Sequence, residues 1–227
     1  MHDDDMRKLH PFLIAAGLAL GLGVSCTVGA QAASSRYGEP AGNPAAVAAA
    51  TLAINAPSYV DDKLKFPEHY REWIYLTSGL DMSYSANGMR GHHMFDNVFV
   101  NPEAYQSFVK TGTWPDKTTI LIELRGGHTE GSINKAGLHQ DADVMGYELH
   151  VKDETRFPGK WAFFSFDDTA EPATMTPRDV ACYSCHEQHG AVDTTFVQFY
   201  PTLLPIAKAK GTLAASYLAE EAASAPH

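Results

Sequence analysis

The residues with the clearest chemical role lie at positions 182–186, which read Cys-Tyr-Ser-Cys-His. Thiols separated by two residues can each add to one vinyl group of a porphyrin, and an adjoining imidazole can then bind the iron. We therefore predict that Cys182 and Cys185 attach one haem c covalently and that His186 is its iron ligand. The chain holds only three cysteines and eleven histidines, so the motif is specific.

Two other interpretations of a Cys-x-x-Cys pair are a thioredoxin-like redox pair and half of a zinc site. A redox pair normally lies near the start of a βαβ unit, whereas this pair lies late in the chain. A structural zinc site needs about four ligands, and the sequence holds no second pair of cysteines. Covalent haem attachment is therefore the favoured interpretation.

The N-terminus is typical of a secretory signal peptide. Two basic residues precede an apolar run at residues 12–24, and residues 28–32 contain a small-x-small cleavage site. The run is too short and wrongly flanked for a stable membrane span. We predict a signal peptide over residues 1–32 and a periplasmic location. Cleavage there removes Cys26, so both remaining cysteines lie in the haem motif.

Composition limits the partners and the domain organisation. The chain has 17 Lys and Arg against 27 Asp and Glu, a formal net charge of −10, which argues against nucleic acid and anionic membranes as partners. After the signal peptide we predict a flexible Ala/Pro-rich leader over residues 33–65 and one haem domain over residues 66–211. Residues 212–227 form a C-terminal tail that is either helical or disordered.

The haem domain has mostly strand-like apolar patterns. They predict strands at residues 73–77, 95–100, 118–124, 145–151 and 161–166. Gly126 and Gly127 are expected to break the third of these strands, and a polar loop is expected to follow up to Asp143.

Helices are predicted between and after the strands. Asn101 can cap a helix that has Pro102 in its first turn and ends at Gly112. Further helices are expected around the haem motif and over residues 194–200. Strands and helices do not alternate strictly, so the pattern predicts an α+β fold, an antiparallel β-sheet with flanking helices and a covalent haem c near the C-terminus.

Four blocks of sequence resemble the cytochrome P460 and cytochrome c′-beta family. In family order they are residues 70–73 (YREW), 97–105 (NVFVNPEAY), 111–124, and 161–163 (WAF) together with the haem motif and residues 199–201 (FYP). The resemblance covers roughly residues 66–205. It implies an antiparallel sheet with a haem buried against it, a five-coordinate iron with an open distal face, and usually a homodimer.

One departure from the family pattern bears on function. P460 members carry a lysine just before a Glu-Leu pair in this third strand, where it is cross-linked to the haem edge and associated with hydroxylamine oxidation. Here Ile122 occupies that place, before Glu123. Lys117 lies five positions earlier and therefore on the other side of the pleat. In lacking the lysine the chain resembles the cytochrome c′-beta members, which are associated with nitric oxide binding in an apolar distal pocket.

The sixth coordination position of the iron separates the functional alternatives. A Met or His ligand there gives an electron carrier, whereas an open position gives gas binding or catalysis. The candidate ligands are Met82, Met89, Met94, Met145, Met175, His69, His92, His93, His128, His139, His150 and His189. Each of these is more often a packing or surface residue than a ligand.

The distal lining is expected to come from the sheet. Phe95, Ile122 and Phe164 are the predicted lining residues, since apolar side chains over the iron would exclude water and admit a neutral diatomic. Arg125 and Asp96 could instead supply polar groups at the rim of the pocket. Glu123 should face away from Ile122, because neighbouring strand residues point to opposite faces.

Three functions follow from these patterns. The first is a periplasmic haem protein that binds nitric oxide or a related small nitrogen ligand at an open, largely apolar site. The second is an oxidoreductase acting on hydroxylamine or peroxide, which needs a distal proton-transfer group that the sequence does not clearly offer. The third is a simple electron-transfer cytochrome. Each implies a redox partner protein whose identity the sequence does not give.

Overall fold

The structure is a computed structural model that describes residues 55–83, 92–129 and 131–224. The predicted signal peptide, most of the predicted leader and the candidate ligand Met89 lie outside these residues. None of the helices in the described ranges combines the length and apolar character needed to cross a bilayer.

The described chain contains seven β-strands and four α-helices. The strands are β1 (Tyr59–Val60), β2 (Lys63–Leu64), β3 (Ile74–Leu80), β4 (His93–Val100), β5 (Thr119–His128), β6 (His139–Lys152) and β7 (Trp161–Phe166). The helices are α1 (Pro102–Thr111), α2 (Ala181–His189), α3 (Leu204–Lys210) and α4 (Ala215–Ser224), with 3-10 turns at Tyr70–Glu72 and Val197–Phe199.

Strands β3 to β7 form one antiparallel sheet in chain order, and β1 pairs with β2 in a separate ribbon. Because every strand of the main sheet pairs with its neighbour in sequence, no crossover between parallel strands is needed to build it. The α+β fold with an antiparallel sheet and flanking helices, expected from the sequence, is thus confirmed.

The expected break at the double glycine is wrong. Strand β5 continues through Gly126 and Gly127, and β6 begins at His139 rather than after a loop to residue 143. Irregular register after Leu124 accommodates the extra residues of β6 in a bulge. At Gly126 the missing Cβ leaves room for the carboxylate of Asp141, which comes close to the backbone there.

Helix α1 has the predicted bounds but not the predicted cap. Its C-terminus ends at Gly112, which has φ 78° and donates its backbone N–H to Phe108. The side chain of Asn101 makes no helix-capping bond. Its Oδ1 instead accepts a hydrogen bond from the backbone N–H of Thr119 at 2.8 Å, which fastens the start of the helix to β5.

The helix predicted over residues 194–200 is also wrong. Asp193 and Thr194 have positive φ values of 48° and 62°, which a right-handed helix does not allow. The segment forms a tight turn closed between Val192 and Thr195, and then only the 3-10 turn at Val197–Phe199.

The two faces of the main sheet pack against different parts of the chain. One face carries the cross-strand row Val100, Ile120, His150 and Phe163, and we call it the helix face because its core includes residues of α1, α3 and α4. The opposite face holds the second core. Besides strand residues, this core includes buried residues from the segment before β3 and from the connection between β6 and β7. This core contains Leu64, Tyr70, Trp73, Leu121, Leu149, Val151, Phe157, Ala162, Phe164 and Phe166.

Packed residues extend on both sides of the segment 66–211. Leu64 in β2 is buried and its backbone pairs with Ala173. Tyr217 in α4 is buried in the core of the helix face, and the N–H of Ala214 donates to the carbonyl of Ala191 at 2.8 Å. The last helix is therefore anchored next to the end of α2.

Candidate haem-attachment site

Helix α2 presents the two thiols of the motif. Cys182 is exposed and Cys185 is partly buried, and both are free thiols. Because side chains three residues apart share one side of a helix, the two sulfur atoms are available to the same partner. Tyr183 between them is buried, and its hydroxyl donates to the carbonyl of Thr176 at 3.0 Å, which fixes the orientation of the helix.

His186 is held between the sheet and the turn that follows α2. Its ring centroid lies 4.1 Å from that of Phe196, 4.6 Å from Phe163 and 4.9 Å from His150. Its Nδ1 lies 2.8 Å from the carbonyl oxygen of Thr194. Because a carbonyl only accepts, Nδ1 carries the proton and the lone pair is left on Nε2. Burial lowers the pKa of His186, and the bond to Thr194 partly opposes this.

His150 is the candidate histidine that the structure brings to His186. It is buried, stacks on Phe163 at 4.2 Å, and its Nε2 has no hydrogen-bond partner. Burial, and then the neighbouring His186, place its pKa well below the usual range, so the ring is neutral. Four other candidates have a ring nitrogen next to a carboxylate elsewhere, namely His69 with Glu72, His93 with Asp81, His128 with Asp141 and His189 with Glu220.

Of the three residues predicted to line the distal pocket, the structure brings only Ile122 to the side of the sheet that His186 contacts. Ile122 lies on the helix face, one row along from Ile120. Phe95 and Phe164 lie on the opposite face, because strand side chains alternate and these residues pair with Arg125 and Leu149. On β7 it is Phe163, one position earlier, that contacts His186.

The helix face carries a pair of carboxyl groups: Asp96, which the sequence offered as a polar group for the pocket rim, and Glu148, which sequence reasoning missed. Asp96 stands opposite Leu124, and Glu148 stands opposite Ile122. One oxygen of Asp96 is buried without a partner, and burial together with Glu148 and Asp81 raises its pKa to about 6. Glu148 is open to solvent, yet the surrounding protein desolvates it enough to raise its pKa. Strand parity with Val98 could have placed Asp96 on this face.

Glu123 and Arg125 belong to the opposite face. Glu123 is almost fully buried and accepts hydrogen bonds from Tyr70 at 2.5 Å, from Arg71 at 2.6 Å and from Arg125. The expectation that Glu123 faces away from Ile122 is confirmed. Arg125, a candidate for the pocket rim, is instead engaged with Glu123 and with the carbonyls of Asp141 and Ala142.

No group of three or more His, Cys, Asp or Glu side chains is arranged to hold a metal ion within the described ranges. The described residues therefore offer no set of ligands that would complete a zinc site with Cys182 and Cys185. The donors gathered at α2 are two thiols and one imidazole with a fixed tautomer, which is the set that haem c attachment requires.

An antiparallel sheet with a Cys-x-x-Cys-His helix against its last strand defines a class of c-type cytochrome distinct from the small all-helical ones. The cytochrome P460 family model matches residues 67–197, more than half of the sequence, and the chain belongs to that family. No curated protein sequence matches the chain. Family membership implies a cytochrome with haem c as its cofactor.

Proposed function

We propose that this protein is a periplasmic monohaem cytochrome whose haem is held by thioether bonds from Cys182 and Cys185. His186 would bind the iron, and the sixth coordination position would stay open to nitric oxide or a related small nitrogen ligand. The observation that carries the proposal is the hydrogen bond from Nδ1 of His186 to the backbone carbonyl of Thr194, which leaves the lone pair of Nε2 available for the iron. The periplasmic location is supported by the sequence pattern of residues 1–32 and by the family.

The surroundings of His186 support a single protein ligand. His150 is in direct contact with His186, and two imidazoles in contact leave no room for an iron ion between them. His150 therefore belongs to the packing around the proximal ligand. This disfavours the simple electron carrier in which His150 would serve as the sixth ligand.

The chemistry of the helix face supports a small neutral ligand. Val98, Ile122 and Leu124 form an apolar strip on this face, at the position where cross-linked family members carry their lysine. Nitric oxide binds ferrous haem without needing a hydrogen bond, so an apolar surface suits it. An anionic ligand would instead be repelled by the carboxyl groups of Asp96 and Glu148.

The electronic spectrum of the purified ferrous haem protein tests this proposal. We expect a high-spin, five-coordinate spectrum that changes on addition of nitric oxide. A low-spin spectrum that nitric oxide leaves unchanged would overturn the open-site proposal. A methionine-to-iron charge-transfer band in the ferric protein would establish the electron carrier instead.

A second function, hydroxylamine oxidation, is favoured by one specific observation. Oxidation of hydroxylamine to nitric oxide releases one proton for every electron, so it needs a base near the substrate and an external electron acceptor. Asp96 and Glu148 supply two carboxyl groups on the helix face, and the pKa of each is raised from its ordinary value. A carboxyl group with a pKa nearer neutrality is a better proton shuttle at physiological pH.

Steady-state turnover with hydroxylamine and a one-electron acceptor dye tests this second function. We expect Glu148→Gln and Asp96→Asn to lower turnover while leaving the ferrous nitric oxide spectrum intact. Glu171→Gln, at an exposed residue outside the sheet, is the matched control. Absence of turnover in the wild-type protein would remove this function and leave ligand binding standing.

We also propose a homodimer, on the strength of the family resemblance, and a redox partner protein. Light scattering of the purified haem protein measures the first. A monomer across the micromolar range would count against the dimer and would leave the haem site unaffected.

A further inference from the structure

We propose that the partly buried ion pair between Lys152 and Asp193 is a positioning device for the proximal ligand. It holds the carbonyl of Thr194 against Nδ1 of His186 and so sets the donor strength of that imidazole. The inference rests on the proposed function, in which His186 binds the haem iron.

Lys152 is a buried lysine on the helix face, two residues after His150 in β6. Its ammonium group lies 2.5 Å from a carboxylate oxygen of Asp193 and 2.7 Å from the carbonyl of Trp114. A buried charge is costly unless it is paired and hydrogen-bonded, and both conditions are met here. The pair joins the last strand residue of β6 to the turn that follows α2.

That turn has an unfavourable backbone conformation. Asp193 has φ 48° and Thr194 has φ 62°, and a β-branched residue at positive φ is a genuine outlier. Such a conformation persists only where surrounding contacts over-determine it. Two of these contacts involve Thr195, whose hydroxyl donates to the carbonyl of Val192 at 2.7 Å and accepts from the indole N–H of Trp114 at 2.8 Å.

Gly190 brings the turn close to the end of α2. A Cβ at this position would lie 2.6 Å from the carbonyl oxygen of His186 and 2.8 Å from the carbonyl carbon of Thr194. These are backbone atoms that cannot move aside, so only glycine fits. Close packing at Gly190 thus limits where the carbonyl of Thr194 can lie, and the Lys152–Asp193 pair fixes the residue next to it.

The position of this carbonyl matters because it accepts the proton of the proximal imidazole. A strong hydrogen bond at Nδ1 increases the basicity of Nε2, which strengthens the iron–imidazole bond and favours ferric over ferrous iron. Weakening the ion pair should let the turn relax towards ordinary backbone angles. The hydrogen bond would then lengthen and the imidazole would become a weaker donor.

The test compares Lys152→Met and Asp193→Gly in the haem-loaded protein. Glycine is not restricted in φ, so the second variant removes the anchor and leaves residue 193 free to change its backbone angles. We expect the iron–histidine stretching band in the resonance Raman spectrum of the ferrous protein to shift to lower frequency in both variants. We also expect the reduction potential to rise in both.

The two variants separate positioning from a direct charge effect. Lys152→Met removes a positive charge and Asp193→Gly removes a negative one, so a purely electrostatic influence would move the potential in opposite directions. Potential shifts of opposite sign with an unmoved Raman band would overturn the proposal. If Lys152→Met does not fold, the iron–histidine band of Asp193→Gly alone tests the positioning role. A distant charge does not shift this band, so a shift would show that the hydrogen bond to His186 has changed.

Lys117 and Asp153 supply a matched control. Their ion pair is also 2.5 Å long and also includes a buried partner, but it does not touch the turn before Thr195. We expect Lys117→Met to lose stability with no shift of the band. A wild-type protein without any iron–histidine band would refute the assignment of His186 instead. A normal wild-type band that neither variant shifts would refute only the positioning role.

Discussion

Ile122 and Glu148 stand directly opposite each other on strands β5 and β6, on the face of the sheet that also contacts His186. An apolar side chain faces a carboxyl group whose pKa is raised by desolvation from the surrounding protein. The apolar side chain of Ile122 supports the binding of a neutral ligand, and the carboxyl group of Glu148 supports hydroxylamine oxidation. The pair therefore brings together the features on which the two proposed functions depend. Substitutions at position 122 can test how strongly its side chain interacts with Glu148.

We expect Ile122→Lys to be less destabilising than Ile122→Glu. Both substitutions lose the packing of Ile122 against the core, but a lysine directly across an antiparallel pair would attract Glu148 by about 0.2–1 kcal/mol, whereas a glutamate would repel it by a similar amount. The free energy of unfolding of both haem-loaded variants, measured at pH 7.5, checks this. Equal effects of the two substitutions would show that loss of the apolar side chain, and not charge, decides.

Asp96 gives a pH dependence of known sign. Its folded-state pKa of about 6 lies above the ordinary value of 3.8. Its contribution to the free energy of unfolding is therefore most favourable below about pH 4 and is lost as the pH rises through 6. We expect Asp96→Asn to be more stable than wild type at pH 7.5 by about 1 kcal/mol, allowing for solvent screening. Thermal unfolding of both proteins should give equal stability near pH 4 and diverge above it.

The fold was largely predictable because the strands follow simple alternation. The bounds of β7 and α1 match the sequence prediction at both ends, since aromatic clustering, proline and glycine mark them. The long β5–β6 hairpin was not predictable from composition. Gly126 and Gly127 resemble a turn locally, but pairing with β4 and β6 on both sides overrides the low strand preference of glycine.

The site was predictable only in part. Cys182, Cys185 and His186 form a continuous motif, whereas the residues around them come from distant segments. In β7 apolar side chains lie on both faces, so alternation could not distinguish Phe163 from Phe164. The contact between Lys152 and Asp193 joins residues 41 positions apart and has no local signature.

Glu123 should show the pH dependence opposite to that of Asp96. Burial works to raise its pKa, but hydrogen bonds from Arg125 and Tyr70, with the charge of Arg71, lower it on balance. Its stabilising contribution is therefore present above the ordinary value of 4.5 and lost as the pH falls through the lower folded value. We expect Glu123→Gln to cost about 2 kcal/mol at pH 7.5 and progressively less in acid.

Because Glu123 lies on the face away from His186, this loss should leave the haem site intact. The ferrous spectrum of Glu123→Gln, with and without nitric oxide, is expected to match wild type. A changed spectrum would show that the network of Glu123 reaches across the sheet. Urea unfolding at pH 7.5 and pH 4 measures the predicted loss of stability.

The two thiols should contribute unequally to haem retention. Cys185 is partly buried and adjoins His186, whereas Cys182 is exposed, so a haem tethered by Cys185 alone stays beside its iron ligand. We expect Cys182→Ala to retain more covalent haem than Cys185→Ala, and the double variant to retain none, as measured by intact mass. Ser184→Ala is the control, since its exposed hydroxyl bonds only the carbonyl of Ala181 at 3.1 Å. Covalent haem in the double variant would refute thioether attachment at this motif.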